Sequence, residues 1–154
     1  MTQAEKYSWA SLITTGAIYW FFQMRMLDGW QVVEQSPGQL AGVYIAIVIM
    51  TIIAEAFIAG AIAVLNKNGG IEKDERDFAI EAKANQNAAI FLAAAINILI
   101  IQVLADAAYP ANALPKFMPQ LVMNTPGEIF FILFTLLYAA HFVKLISTII
   151  LYRK

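Results

Sequence analysis

Four stretches of unbroken apolar sequence, at residues 7–24, 40–65, 87–109 and 128–152, constrain this chain more than any other feature. Each approaches or exceeds the roughly 20 helical residues that cross a bilayer core. A spanning strand would instead alternate apolar and polar residues over about ten positions, and these windows do not. The predicted fold is therefore all-α: an integral membrane, four-transmembrane-helix up-and-down bundle, formed by residues 1–154 as one domain, with sequential helices as antiparallel neighbours. Composition agrees. Hydrophobic residues make up 60% of the chain and charged residues 14%, against about a quarter charged in a soluble domain. The net charge of −1 offers no basic field for nucleic acid. With no cysteine, disulfides, thiolate metal sites and palmitoylation are excluded.

The breaks fit the spans. All five prolines (Pro37, Pro110, Pro115, Pro119 and Pro126) lie between windows. Asn66, Lys67, Asn68, Gly69 and Gly70 form a stop after the second window. Thr125-Pro126-Gly127-Glu128 predicts a capped entry to the fourth helix, with Thr125 as N-cap and Glu128 at the third position. No small-residue cleavage pattern follows Met24, so the first window is expected to be retained. Lys6, Lys67, Lys73, Arg76, Lys83, Arg153 and Lys154 fall on one side of the spans, and Arg25 and Lys116 on the other. That bias places both termini and the middle loop in the cytoplasm, N-in/C-in. Tyr7, Trp9, Trp30, Tyr109 and Tyr152 sit near the interfaces.

Ionisable groups inside a membrane are costly and face the bundle interior or water, which makes them the first place to look for function. Glu55, His141 and Lys144 qualify, and Asn97 adds an uncharged polar group. Counted from the cytoplasmic helix ends at about 1.5 Å per residue, Glu55, Asn97 and His141 all lie roughly 15 Å deep. Lys144 lies one turn below His141 on the same face, and Tyr138 one turn above. The expectation is a buried polar layer in which Glu55 pairs with His141 or Lys144 and Asn97 bridges. Such a layer either fixes helix order or titrates in function. Lone His141 and the absence of cysteine make a metal site a poor fit. Neither a nucleophile elbow nor a phosphate loop is present, so no catalytic residues and no cofactor are expected. The pairs Ala56–Gly60, Ala59–Ala63 and Ala84–Ala88 carry the small-residue spacing of close helix contacts.

Before the third window lies Glu72-Lys73-Asp74-Glu75-Arg76-Asp77, followed by Phe78-Ala79-Ile80-Glu81-Ala82-Lys83-Ala84. Asp74 can cap a helix here with Asp77 three residues on. The stretch is either the solvated start of the third helix or a docking surface for a cytoplasmic protein. Asp74-Glu75-Arg76-Asp77, Ile80 and Lys83-Ala84, together with the closing Tyr152-Arg153-Lys154, resemble small bacterial four-helix membrane proteins of unknown function, the DUF2178-like group. That resemblance covers the whole layout and brings no activity with it; it implies a membrane partner or sensor acting on a cytoplasmic protein. The segment 109–125, with Phe117, Met118, Leu121, Val122 and Met123, is apolar enough to lie on the bilayer or fold across the bundle mouth.

The primary expectation is thus a non-enzymatic membrane protein that binds or regulates a cytoplasmic protein partner through its charged loop. The alternative is a small homo-oligomeric transporter of protons, ions or solutes using the polar layer. A lipid-modifying enzyme rests on the Glu55–His141 pair alone.

Overall fold

The structure, a computed structural model, describes residues 3–65, 74–108, 123 and 125–154. It contains α1 (Gln3–Met26), a hairpin of β1 (Leu27–Asp28) and β2 (Gln31–Val32), α2 (Pro37–Leu65), α3 (Glu75–Ala108) and α4 (Pro126–Tyr152). The predicted stop at Asn66–Gly70 and nearly all of the apolar segment 109–125 lie outside the described residues.

Three helices, α2, α3 and α4, are long and apolar enough to cross a membrane. The fourth, α1, has 24 residues and so is about 36 Å long, but Ser8, Ser11, Thr14, Thr15 and Gln23 dilute its hydropathy. Pro37 and Pro126 open α2 and α4, the position where a missing N–H removes no helical bond. The capped entry to α4 forms as the sequence predicts: Glu128 N–H donates to Thr125 Oγ1 at 3.2 Å, and Thr125 N–H donates to Glu128 Oε2 at 3.0 Å. Asp74 and Asp77 make the equivalent reciprocal pair for α3, at 2.7 and 3.1 Å. As a result α3 starts at Glu75, a full three turns before the apolar window. Its 34 residues measure about 51 Å against a hydrocarbon core of about 30 Å, so the charged end projects beyond it.

The helices do not follow sequence order in space. The packed pairs are α1 with α2, α1 with α4, and α3 with α4; α2 and α3 make no comparable contact. This corrects the expectation that sequential helices are neighbours throughout. The chain's two ends meet instead: Arg153 pairs with Glu5 at 3.8 Å and lies over the Trp9 ring. At the opposite end the hairpin pairs Leu27 with Val32 and Asp28 with Gln31. Gly29, at φ +63°, occupies the first central position of its two-residue loop, where a side chain would be strained.

The interior of the bundle changes character along its length. At the hairpin end the core is aromatic. Phe22 stacks on Phe131 and tilts against Phe134 at 4.6 Å, and Tyr19 stacks on Tyr138 at 5.4 Å. Phe22 and Met26 are fully buried, with Ile47 beside them. Toward the termini the same buried face of α1 carries Thr15, Ser11 and Ser8. The opposite face, Ile13, Ala17, Trp20 and Met24, is exposed.

Candidate functional site

Where the core turns polar, the helices enclose a cavity of about 430 Å³. Tyr7, Ser8 and Ser11 reach it from α1, and Thr51 and Glu55 from α2. Asp77 and Glu81 come from the start of α3, and His141, Lys144 and Tyr152 from α4. The spacing on each helix explains the convergence. Tyr7 and Ser11 are one turn apart, as are Thr51 and Glu55, Asp77 and Glu81, and His141 and Lys144, so each pair projects from one helix face.

Glu55 is held by α1. Tyr7 Oη donates to one carboxylate oxygen and Ser11 Oγ to the other. The expected pairing of Glu55 with His141 or Lys144 is therefore not what the structure shows. Because α2 packs along α1 and touches α4 only lightly, its carboxylate meets the hydroxyls of α1 first. Neither His141 nor Lys144 makes a hydrogen bond or ion pair with a described residue. Both project into the cavity.

Asn97 does not join this group. It is exposed on α3 and donates Nδ2 to its own helix, at Ala93 O, 2.8 Å away. The expectation that it bridges the layer is overturned by the packing. The contacts of α3 with α4 lie near its charged end, at Ile80, Ala84 and Asn87, which donates to Ser147 Oγ at 3.3 Å. The most apolar stretch of α3 is buried nowhere in the chain. Equal depth put Asn97 beside Glu55 in the sequence; position around the bundle separates them.

Tyr138 is buried and sits just above the cavity, its hydroxyl 3.4 Å from Thr51 Oγ1. Since the Thr51 hydroxyl donates to Ile47 O at 2.9 Å, Tyr138 is the donor in that contact. This pair marks where the polar cavity meets the aromatic core. A second, more apolar groove of about 310 Å³ begins at the same place, lined by Ile47, Phe134 and Leu137 and sharing Thr51 and His141 with the cavity.

The charged stretch divides in two. Asp77 is buried, capping α3 with one oxygen and accepting from Tyr152 Oη at 2.6 Å with the other. Ile80 is buried against the same interface. Asp74, Glu75, Arg76 and Lys83 are exposed, Asp74 serving as the cap and Lys83 donating to Gln86 at 3.2 Å. The small-residue pair Ala56–Gly60 faces outward, with open space around Gly60, whereas Ala84 is fully buried.

Sequence reasoning missed Tyr7, Ser11, Thr51 and Tyr152 as site residues. Tyr7 and Tyr152 pass for interface aromatics. The signal for the rest was present: Ser8, Ser11 and Thr15 recur at helical spacing in an otherwise apolar window. No group of three His, Cys, Asp or Glu side chains suited to a metal occurs among the described residues. No protein-family model, curated protein or solved structure matches the chain.

Proposed function

We propose that this chain is a four-span protein of a bacterial inner membrane, with both termini in the cytoplasm, that binds a small ligand in the cavity between its helices. One observation carries the reading. Charged and hydroxyl side chains from all four helices converge on a cavity of about 430 Å³, within the size range of small-molecule sites, and intramembrane charge marks function by default. The exposed row Ile13, Ala17, Trp20 and Met24 supports α1 as the fourth span. That face suits lipid while the serines and threonines turn inward. The Lys and Arg bias supports the orientation.

The lack of cysteine makes single-cysteine variants a clean test. Ala59 lines the cavity and Ala93 lies on the exposed face of α3. In inside-out vesicles, Ala59→Cys is expected to react with a membrane-impermeant thiol reagent and Ala93→Cys is not. In right-side-out vesicles both should be silent. An unreactive Ala59→Cys would exclude a cavity open to the cytoplasm, and reaction from the outside would reverse the topology.

Docking of a cytoplasmic protein is a second reading, favoured by the exposure of Glu75 and Arg76. Charge reversal of these two residues should abolish co-purification of a partner while leaving the cavity reactions intact. Retention of every partner would remove this reading.

A further inference from the structure

We infer that the ligand is a single-chain anionic amphiphile, a fatty acid drawn from the surrounding membrane, with its carboxylate at His141 and Lys144 and its chain in the groove between α2 and α4. The inference rests on the cavity reading above and adds the chemical class and the route of entry.

Three observations converge. First, the polar cavity and the apolar groove share Thr51 and His141, so the two spaces adjoin at one histidine. A molecule spanning both must be polar at one end and apolar along the rest. Second, the groove opens on the side of the bundle. Its floor is the buried pair Ile47 and Phe134, and its rim is the exposed Tyr44, Ile52 and Leu137. Both helices are apolar there, so in a bilayer this opening faces acyl chains rather than water.

Third, the hydrogen-bonding state of the cavity selects the headgroup. The acids Glu55 and Asp77 already accept from donors on both oxygens, Tyr7 and Ser11 for the first, Tyr152 and the Asp74 N–H for the second, and the third acid of the lining, Glu81, is not without a partner either. Among the described residues, the basic groups His141 and Lys144 have no hydrogen-bond or ion-pair partner. Buried charge is costly until it is paired. What completes this site is an acceptor, and a carboxylate makes charge-assisted hydrogen bonds to both groups. One acyl chain suits a groove of about 310 Å³ lined by α2 and α4, with Thr15 of α1 at its inner side.

The test uses the full chain in nanodiscs with a diazirine-bearing palmitate, irradiated and mapped by peptide mass spectrometry. Label is expected on the groove, at Ile47, Ile52 and Leu137, and to be displaced by unlabelled palmitate. Hexadecanol and hexadecyltrimethylammonium, of equal chain length, should not displace it. Lys144→Met should weaken groove labelling about tenfold, the effect of losing one charge-assisted bond of about 1.5 kcal/mol. Val48→Trp should block the groove without touching the headgroup site. Thermal unfolding of both variants verifies that they fold.

Equal label on the groove and on the exposed face of α3, at Ile98 and Ile101, would mean ordinary contact with bilayer lipid and would overturn the inference. Displacement by the cationic chain would overturn it too, in favour of the acids as the binding groups. Reactivity of Ala59→Cys in the same preparation separates these failures from failure of the cavity reading itself.

Discussion

The clasp on Glu55 makes the sharpest prediction, because it distinguishes the structure from the pairing that depth alone suggests. Tyr7→Phe removes one of the two hydroxyl donors to the carboxylate. A hydrogen bond to a charged group contributes about 1.5–3 kcal/mol in soluble proteins, whereas interhelical bonds in membranes average about 0.6 and reach about 1.7 kcal/mol. Glu55 is an ionisable acceptor, half-buried between two helices, which places it at the upper end of the membrane range. The expected cost of Tyr7→Phe is about 1.5 kcal/mol, roughly tenfold in the folding equilibrium. A double-mutant cycle with Glu55→Leu isolates the pair, because the tyrosine hydroxyl has nothing to lose once the carboxylate is gone. Unfolding in mixed micelles by SDS titration, followed by far-UV circular dichroism, measures all four corners. The coupling should be about 1 kcal/mol or more for Tyr7 with Glu55 and within about 0.3 kcal/mol of zero for Lys144→Met with Glu55→Leu. The opposite pattern, additivity for Tyr7 and coupling for Lys144, would refute the clasp and restore the pairing of Glu55 with α4.

Three further outcomes follow from the packing. Phe22→Ala empties the centre of the aromatic core, where Phe22 is 0% exposed, and should cost about 3–5 kcal/mol; a loss under about 1 kcal/mol by the same titration would mean that this core is loosely packed. Tyr152→Phe takes a 2.6 Å donor from the buried Asp77 carboxylate and should destabilise by about 1.5 kcal/mol, with faster hydrogen exchange confined to the first turns of α3; exchange spread evenly over the bundle would contradict a local tie. Asn97→Leu, on the exposed face of α3, should change stability by less than about 0.5 kcal/mol, and a larger loss would return Asn97 to the interior.

Much of the architecture was readable from residues alone because it depends on local chemistry. Apolar length marks helices whatever their neighbours do, and Thr125 with Glu128 and Asp74 with Asp77 announce their caps within four residues. Depth is inferred from residues as a count along one helix. Rotation about the helix axis and the order of helices in the bundle were not readable, because both depend on which surfaces meet. Counting sets Asn97 level with Glu55, yet α3 packs by its charged end on α4, and the asparagine turns away. The charged stretch has the same character: Asp77, Ile80 and Ala84 are buried and Asp74 is a cap, so these four hold α3 on α4, while Glu75, Arg76 and Lys83 are exposed.

The least apolar helix ties these observations together. By composition α1 falls short of a membrane span, and in hydrocarbon its serines and threonines would each need a partner. The fold turns Ser8, Ser11 and Thr15 inward by placing α1 between α2 and α4, where Ser11 meets Glu55 and Ser8 donates to Ala4 O of its own helix. Had α1 carried leucine at Ser8, Ser11 and Thr15, the aromatic packing at Phe22 could continue to the termini and close the interior. Glu55 would then lose Ser11 and keep Tyr7 as its donor on α1. The hydroxyl face of α1 and the carboxylate of α2 therefore require one another, and the cavity is the space their pairing keeps open beside α4. On this argument, Ser8→Leu combined with Ser11→Leu should shrink the cavity and take one of the two α1 donors from Glu55. Ala59→Cys would lose its reactivity toward water-soluble reagents while Phe22 and its neighbours stay packed. Retained reactivity in that variant would show that the cavity is held open by α3 and α4 alone, and the dependence on α1 would fail.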